Sequence, residues 1–493
     1  MKRIFLLLTV FVLAVSSCDD GLEPQLFGTL NPLTFPSTES EYELLTLDLY
    51  QPFKLSWGYT DGSFRYSFFG PVEGTMQLFD LPTDLMIPWV GGEGNDFRRS
   101  KSIGDFSPIV AHSRSYSHFE KTRFVTRATG IIKTLEEATV FTDENSKRQL
   151  IAEARMARGW TMYIMLQMYG PVPVLLDPEL IGNPEAEADV TKPSNDEYVA
   201  NVAADLRYAA DNLPQTPPVY GRFNKGAALV VLMRLYLNDR NFQQAEAVGR
   251  EIKSLGYLLV DDYASLFREA TERNTETIFA VSCDPTSQGR AADGSFNPYS
   301  WYSFPNDFPR KPGWFGPSAP YMATWEFYDS FDPTDDRRAL LVSSYGSRNR
   351  SNMAGVVIEK YPAEGSNAYQ GNDYVLARYA DVMLMLAEAI NENNNGPTQE
   401  AIDLVNEVHR RSNPSGGLTS DDTSSMAAFN DAILRERAWE LYFEGFRLQD
   451  LRRHNKWPQA LEGIPGKNPG SSSYYPIPQF ALDYGVAPNE GNN

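Results

Sequence analysis

The chain has 493 residues, 42% apolar and 22% charged, enough hydrophobic material for a large core and far from a disordered composition. A formal charge of −20, from 64 acidic against 44 basic side chains, excludes a protein that binds nucleic acid by neutralising phosphates. Two cysteines exclude a disulfide framework and a cysteine-based zinc site.

Lys2 and Arg3 precede an apolar run from Ile4 to Val15, broken only by Thr9. This run is too short for a hydrocarbon layer of about 30 Å but suits the core of a secretory signal. It ends in Val15-Ser16-Ser17-Cys18, which resembles the bacterial lipobox. Residues 1–17 are therefore read as a lipoprotein signal peptide, and Cys18 as the lipidated first residue of the mature chain. Loss of Lys2 and Arg3 takes the charge from −20 to −22. No later apolar run is long enough to span a bilayer, so the expectation is an anchored protein. Residues 18–38, with Pro24, Pro32 and Pro36, read as a tether and linker leading into a domain over 39–493.

Residues 57–69 hold Trp57, Tyr59, Phe64, Tyr66, Phe68 and Phe69, a density of rings that departs from the helical patterning elsewhere. Helices are predicted at 119–139 and at 144–169. In the second, Leu150, Ala154, Ala157, Thr161, Ile164 and Met168 draw one stripe, Asp143 caps the start and Gly170-Pro171 stops it. Further helices are expected at 195–212, 225–238, 241–255 and 398–411. The same spacing joins Val375, Tyr379, Val382, Leu386 and Ala389, and again Leu434, Ala438, Leu441, Gly445 and Leu448. Leu232, Tyr236, Phe242 and Ala245 fall at tetratricopeptide (TPR) spacings, and Ala401 could repeat the part of Ala245. Between these tracts, residues 285–325 carry seven prolines with Tyr299, Trp301, Tyr302, Phe304, Phe308, Trp314, Phe315, Tyr321 and Trp325. A loop of that length in a compact chain is functional or disordered, and so many rings argue against disorder. The fold class is mainly α: a TPR-like helical-hairpin scaffold (about 119–255 and 374–455) carrying an irregular, loop-rich lobe (about 40–115 and 257–373).

A set of motifs follows in order. Glu153-Ala154-Arg155-Met156-Ala157-Arg158 precedes Tyr169-Gly170-Pro171-Val172-Pro173, and Gly226-Ala227-Ala228 runs through Leu235-Tyr236-Leu237 to Gly256-Tyr257. Asp335-Asp336-Arg337-Arg338 and Arg378-Tyr379-Ala380-Asp381-Val382-Met383-Leu384-Met385 come next, the latter with Ala387-Glu388-Ala389. Arg435-Glu436-Arg437, Glu444-Gly445-x-Arg447, Asp450-Leu451-Arg452-Arg453 and Tyr475-Pro476-Ile477-Pro478 close the series. With a lipobox in front, this order resembles the SusD/RagB family of nutrient-binding outer-membrane lipoproteins of Bacteroidetes. Thr129 stands where the family often has Asn, and the tail reads Ala487-Pro488-Asn489-Glu490-Gly491 in place of its common form. The resemblance implies a lipid-anchored protein at the cell surface, and Asp19-Asp20 resembles the acidic export signal of such lipoproteins. It implies capture of an oligosaccharide and transfer to a TonB-dependent SusC-like transporter as partner.

No catalytic constellation stands out. His112, His118, His409 and His454 form no HExxH pair, and no G-x-S-x-G or S-x-x-K is present. Cys283 reads as a buried small hydrophobe. Gly91-Gly92-Glu93-Gly94 reads as a flexible turn. Glu436, Glu440 and Glu444 stack at i, i+4, and interleaved Arg435, Arg437 and Arg447 suggest an ion-pair ladder along a helix; a glycosidase acid would need to stay protonated. The expectation is a binding protein without enzymatic activity, without a cofactor and without a protein-held metal; whether a calcium ion shapes a loop stays open. A peptide-binding RagB-like protein, a surface-anchored glycoside hydrolase and a purely protein-binding TPR scaffold are the alternatives.

The resemblance places the sugar site in loops from 57–98 and 299–315. Trp89, Trp301 and Trp314 are the expected stacking platforms, with Tyr299 and Tyr66 as secondary ones, because sugar C–H faces stack on aromatic rings. Asn95 and Arg98, beyond the glycine-rich turn and accompanied by Asp61 and Arg65, are expected to bond the hydroxyls.

Overall fold

Amphipathic stripes become helices where they can bury one face, and that rule builds most of this molecule. The computed structural model describes residues 35–55, 67–70, 74–88, 96–284, 296–309, 321–364 and 370–488. The scaffold helices are α1 (Thr122–Glu137), α2 (Glu144–Tyr169), α3 (Asn195–Asn212), α4 (Lys225–Asn238), α5 (Phe242–Lys253), α6 (Tyr379–Asn393), α7 (Gln399–Ser412), α8 (Met426–Leu441) and α9 (Arg447–Arg453). Neighbours in sequence pack as hairpins, α1 on α2, α2 on α3, α3 on α4 and α4 on α5, and α6 extends the array against α5 and α7. Asp143 accepts the Asn145 amide at the start of α2, and Gly170 ends it at φ 72°. Leu232 and Ala245 are buried at the α4–α5 contact. Gly249 on α5 is a close-approach position: a Cβ there would lie 2.6 Å from Met233 Cε and 3.1 Å from Leu386 Cδ1.

Two helical stripes are shorter as helices than their spacing suggests. Val375 lies on strand β6 (Tyr374–Arg378), and α6 begins only at Tyr379. Leu434 through Leu448 is two helices, because the chain turns at Phe443 (φ 64°) and Gly445 (φ 87°) between α8 and α9. Asp80 fixes that turn by accepting the Gly445 and Arg447 amides at 2.8 and 3.0 Å. A Cβ on Gly445 would meet the Thr75 and Met76 backbone at 2.9 Å.

The strands are short. β1 (Met86–Pro88), β3 (Tyr321–Ala323), β5 (Val356–Ile358) and β4 (Leu341–Val342) form an antiparallel sheet in the order β1-β3-β5-β4, and β2 (Thr277–Val281) pairs with β6.

The motif residues converge in buried ion pairs that join distant segments. Arg158 forks onto Asp205 at 2.7 and 2.8 Å, and Arg453 onto Glu388 at 2.6 and 2.8 Å. Arg234 and Arg437 share Asp381, each at 2.8 Å. Thr129 donates to the Leu175 carbonyl (3.0 Å) and accepts from Arg158 (3.0 Å), so it ties α1 to α2 and to the exit of α2. Geometry of this kind satisfies the charges that burial would otherwise penalise.

Candidate functional site

Described residues in and beside the two segments expected to hold ligand come together in one place. β1 and β3 pair in the register Met86↔Ala323, Ile87↔Met322 and Pro88↔Tyr321. The chain therefore leaves β1 toward position 89 at the same end of the ladder where it enters β3 at Tyr321. The short helix Tyr299–Ser303 lies on β3, with the Tyr302 and Tyr321 rings 6.4 Å apart. Tyr299 donates from its hydroxyl to the Phe69 carbonyl at 2.8 Å, which ties residues 67–70 to the same spot. Asn297 bonds the Gln370 and Asn372 backbone and accepts the Tyr299 amide, fixing the helix from below.

The base under β1 is built from polar clamps. Lys467 donates to the carbonyls of Leu81 (2.7 Å), Met86 (2.6 Å) and Ser102 (2.8 Å). Arg447 forks onto Asp84 at 2.8 and 2.6 Å, and Trp457 donates to the Pro82 carbonyl. Burial pushes the Asp80 carboxyl up to about 7, against the two amides that favour its ionised form. Burial likewise pulls the Lys467 ammonium down to about 7. Arg447 sits in one of the motifs; nothing in the sequence marks Lys467, because its three acceptors are main-chain atoms.

Of the expected contact residues, Tyr66, Trp89, Asn95 and Trp314 lie outside the described residues, as does Cys18. Trp301 falls within the helix Tyr299–Ser303, but its side chain is outside the description. Arg98 is on the helix Asp96–Ile103 and partly exposed. Tyr299 is corrected: it is 0% exposed, its ring is stacked on Tyr374 at 4.2 Å and its edge meets Phe443. A ring covered in this way is an anchor for the loop and has no face left for a sugar.

The stacked glutamates are ion-paired, but not with the arginines interleaved among them. Arg337 donates to Glu436 (2.6 Å) and Glu440 (2.9 Å), and Arg378 holds Glu444 at 2.8 Å together with Glu276 and Glu440. Arg411 adds to Glu440 and Glu276, and Lys360 to Glu444 at 2.6 Å. Residues one apart on a helix point to different faces. Arg435, Arg437 and Arg447 accordingly pair elsewhere, with Asp422, with Asp381 and Asp450, and with Asp84. Burial opposes ionisation of Glu436 and Glu440, but Arg337, Arg378, Arg411 and His409 outweigh it and hold both below the usual carboxylate range. They are closed off from solvent and cannot lend a proton to a substrate. Cys283 is half-buried, its thiol donates to the Val281 carbonyl at 3.5 Å, and burial pushes its pKa up, away from a thiolate. Among the described residues no group of three or more His, Cys, Asp or Glu is placed to hold a metal ion.

Sequence models of two related groups match the chain: the SusD family over residues 341–483, and a group described as starch-binding and associating with the outer membrane over 115–237. The chain belongs to the SusD family. A SusD-like protein of Formosa agariphila is 24% identical, with 91% of this chain and 88% of the relative aligned. The fold is shared with surface glycan-binding protein A of Bacteroides thetaiotaomicron, solved with laminarihexaose, at a TM-score of 0.75 and 19% identity over 93% of this chain and all of that one. A laminarin-binding SusD-like protein superposes at 0.73 with 24% identity, covering 92% and 99% of the two chains. The segments matched by the SusD-type models hold α1–α4 and, further on, β4 to α9, whereas 57–98 and 299–315 lie outside both.

Proposed function

We propose that this SusD-family protein captures a glycan at the cell surface, in a site carried by the segments 57–98 and 299–315, and passes it to a TonB-dependent SusC-like barrel. The observation that supports the reading is the β1–β3 register, in which Pro88, the residue before Trp89, lies opposite Tyr321, a few residues after the second segment in the sequence. Laminarin and laminarihexaose are ligands of relatives with this fold, which favours sugar over peptide. The role is read as binding without catalysis, and the carboxylates stacked along α8, Glu436 and Glu440, are consumed by arginines. The anchor is the lipid on Cys18; no helix of the described residues is long and apolar enough to cross a membrane. The description of the group matched at 115–237, associating with the outer membrane, supports that location.

Calorimetry on the best ligand from a glycan array tests the site. Each of Trp89→Ala, Trp301→Ala and Trp314→Ala is expected to lose about 1–2 kcal/mol of binding, about 10-fold in Kd. Three folded variants that bind like wild type would remove the site from these segments. Transfer is tested by purification in mild detergent with a SusC-like barrel co-expressed. A complex with a barrel is expected, and recovery of monomer alone in several detergents would refute the handover.

A further inference from the structure

A separate cavity of about 520 Å³ opens at the end of the scaffold where α2 and α4 finish and α3 begins, with α9 and Tyr474 closing it. No described residue of the segments assigned to glycan capture lines it. Gln167, Asn195, Asn238, Arg240, Arg452 and Tyr474 are among its walls. Arg453, which also lines it, is neutralised from behind by Glu388 and Asp450. Arg240 and Arg452 differ. The hydrogen bonds of Arg452 run to neutral oxygens, Ser473 Oγ at 3.1 Å, the Gln167 carbonyl at 2.9 Å and the Ser473 carbonyl at 2.7 Å, while its guanidinium lies 3.7 Å over the Tyr474 ring. Arg240 donates to the Arg453 carbonyl at 3.0 Å. Lys192 adds a third cation to the wall. The carboxylate in the lining, Asp239, is solvent-exposed and accepts from Asn195 at 2.9 Å.

A chain of net charge −20 thus concentrates positive charge in one concave, amide-lined space. Burial lowers the pKa of Arg452, the sign of a cation that is costly to hold without a counter-charge. An arginine nonetheless stays protonated, so an anion entering the cavity would return what desolvation removed. Planar two-oxygen groups also match a guanidinium fork.

We propose that this cavity is an anion-binding pocket that takes the carboxylate or sulfate group of a ligand the size of a mono- or disaccharide, held by Arg240 and Arg452. The saccharide as carrier rests on the glycan-capture reading, whereas the requirement for an oxyanion rests on the cavity alone.

Titration of the full mature protein with D-glucuronate, D-glucose and inorganic sulfate, followed by calorimetry and NMR, tests it. Glucuronate should bind at least about 10-fold more tightly than glucose, and less tightly as salt rises. Arg240→Gln and Arg452→Gln should each weaken glucuronate about 10-fold. Arg240→Gln leaves the Ser473 and Gln167 contacts in place, so it remains informative if Arg452→Gln disturbs folding. Equal binding of glucuronate and glucose, or unchanged affinity in Arg240→Gln, would overturn the pocket. Binding of sulfate but not glucuronate would overturn the saccharide carrier. Retention of the array glycan by the wild type reports on the loop site separately, so failure of one reading is distinguishable from failure of the other.

Discussion

Arg378→Ala is expected to cost about 3–5 kcal/mol of folding stability, the range for removing one partner from a buried ion pair. Arg378 is 1% exposed and donates to Glu276, Glu440 and Glu444 and to the Glu440 carbonyl, so its loss strands charge where water cannot reach. It also joins β6 to the α8–α9 turn, and thereby the strand pair to the scaffold. Urea unfolding would show the loss as a fall in midpoint at unchanged slope. Arg378→Ala combined with Glu444→Gln should lose less than the sum of the two single changes, because the pair is coupled. A loss below about 1 kcal/mol would mean that water replaces the guanidinium and that the site is not dry in solution.

The same network sets the acid limit. In Asp381, Glu388, Glu436 and Glu440, burial opposes the charge but neighbouring arginines prevail, so the folded pKa values lie below the unfolded ones. With the folded pKa depressed, the stabilisation is complete above the unfolded carboxylate range, about pH 4–4.5, and is lost as pH falls through it toward the folded values. The urea midpoint should accordingly drop below about pH 4.5.

Cys18→Ala is expected to abolish anchoring: the protein should leave the membrane fraction or accumulate as uncleaved precursor. An acyl chain contributes about 0.8 kcal/mol per buried CH₂, and nothing else described in the chain offers an apolar span to replace it. Carbonate washing followed by mass analysis of the N-terminus decides the matter. An Ala variant that has lost residues 1–17 and still stays in the membrane through the wash would show that a different attachment holds the protein.

Much of the scaffold is legible in the sequence because helix patterning is local. Leu150 to Met168 repeats every three or four residues, and such a stripe needs only some apolar partner to become a helix. The stripes fail where a contact from far away intervenes: Val375 is claimed by pairing of β6 with Ala280 of β2, and Gly445 by Asp80. The aromatic rings of the proline-rich segments are legible as a group, but their individual environments are not. Composition does not mark Tyr299, among the rings of its run, as one that packs into the core against Tyr374.

By itself, then, the sequence determined the mainly helical class and the ordered motifs of the family, since each depends on residues close together along the chain. The tertiary structure alone decided which carboxylate meets which arginine, that Tyr299 is an anchor, and that Arg240 and Arg452 face one cavity. Many of those outcomes depend on residues far apart in the chain coming within a few ångströms, as Arg378 does with Glu440 and Arg240 with Arg453. Such distances are set by the packing of whole helices, and no spacing within a single segment encodes them.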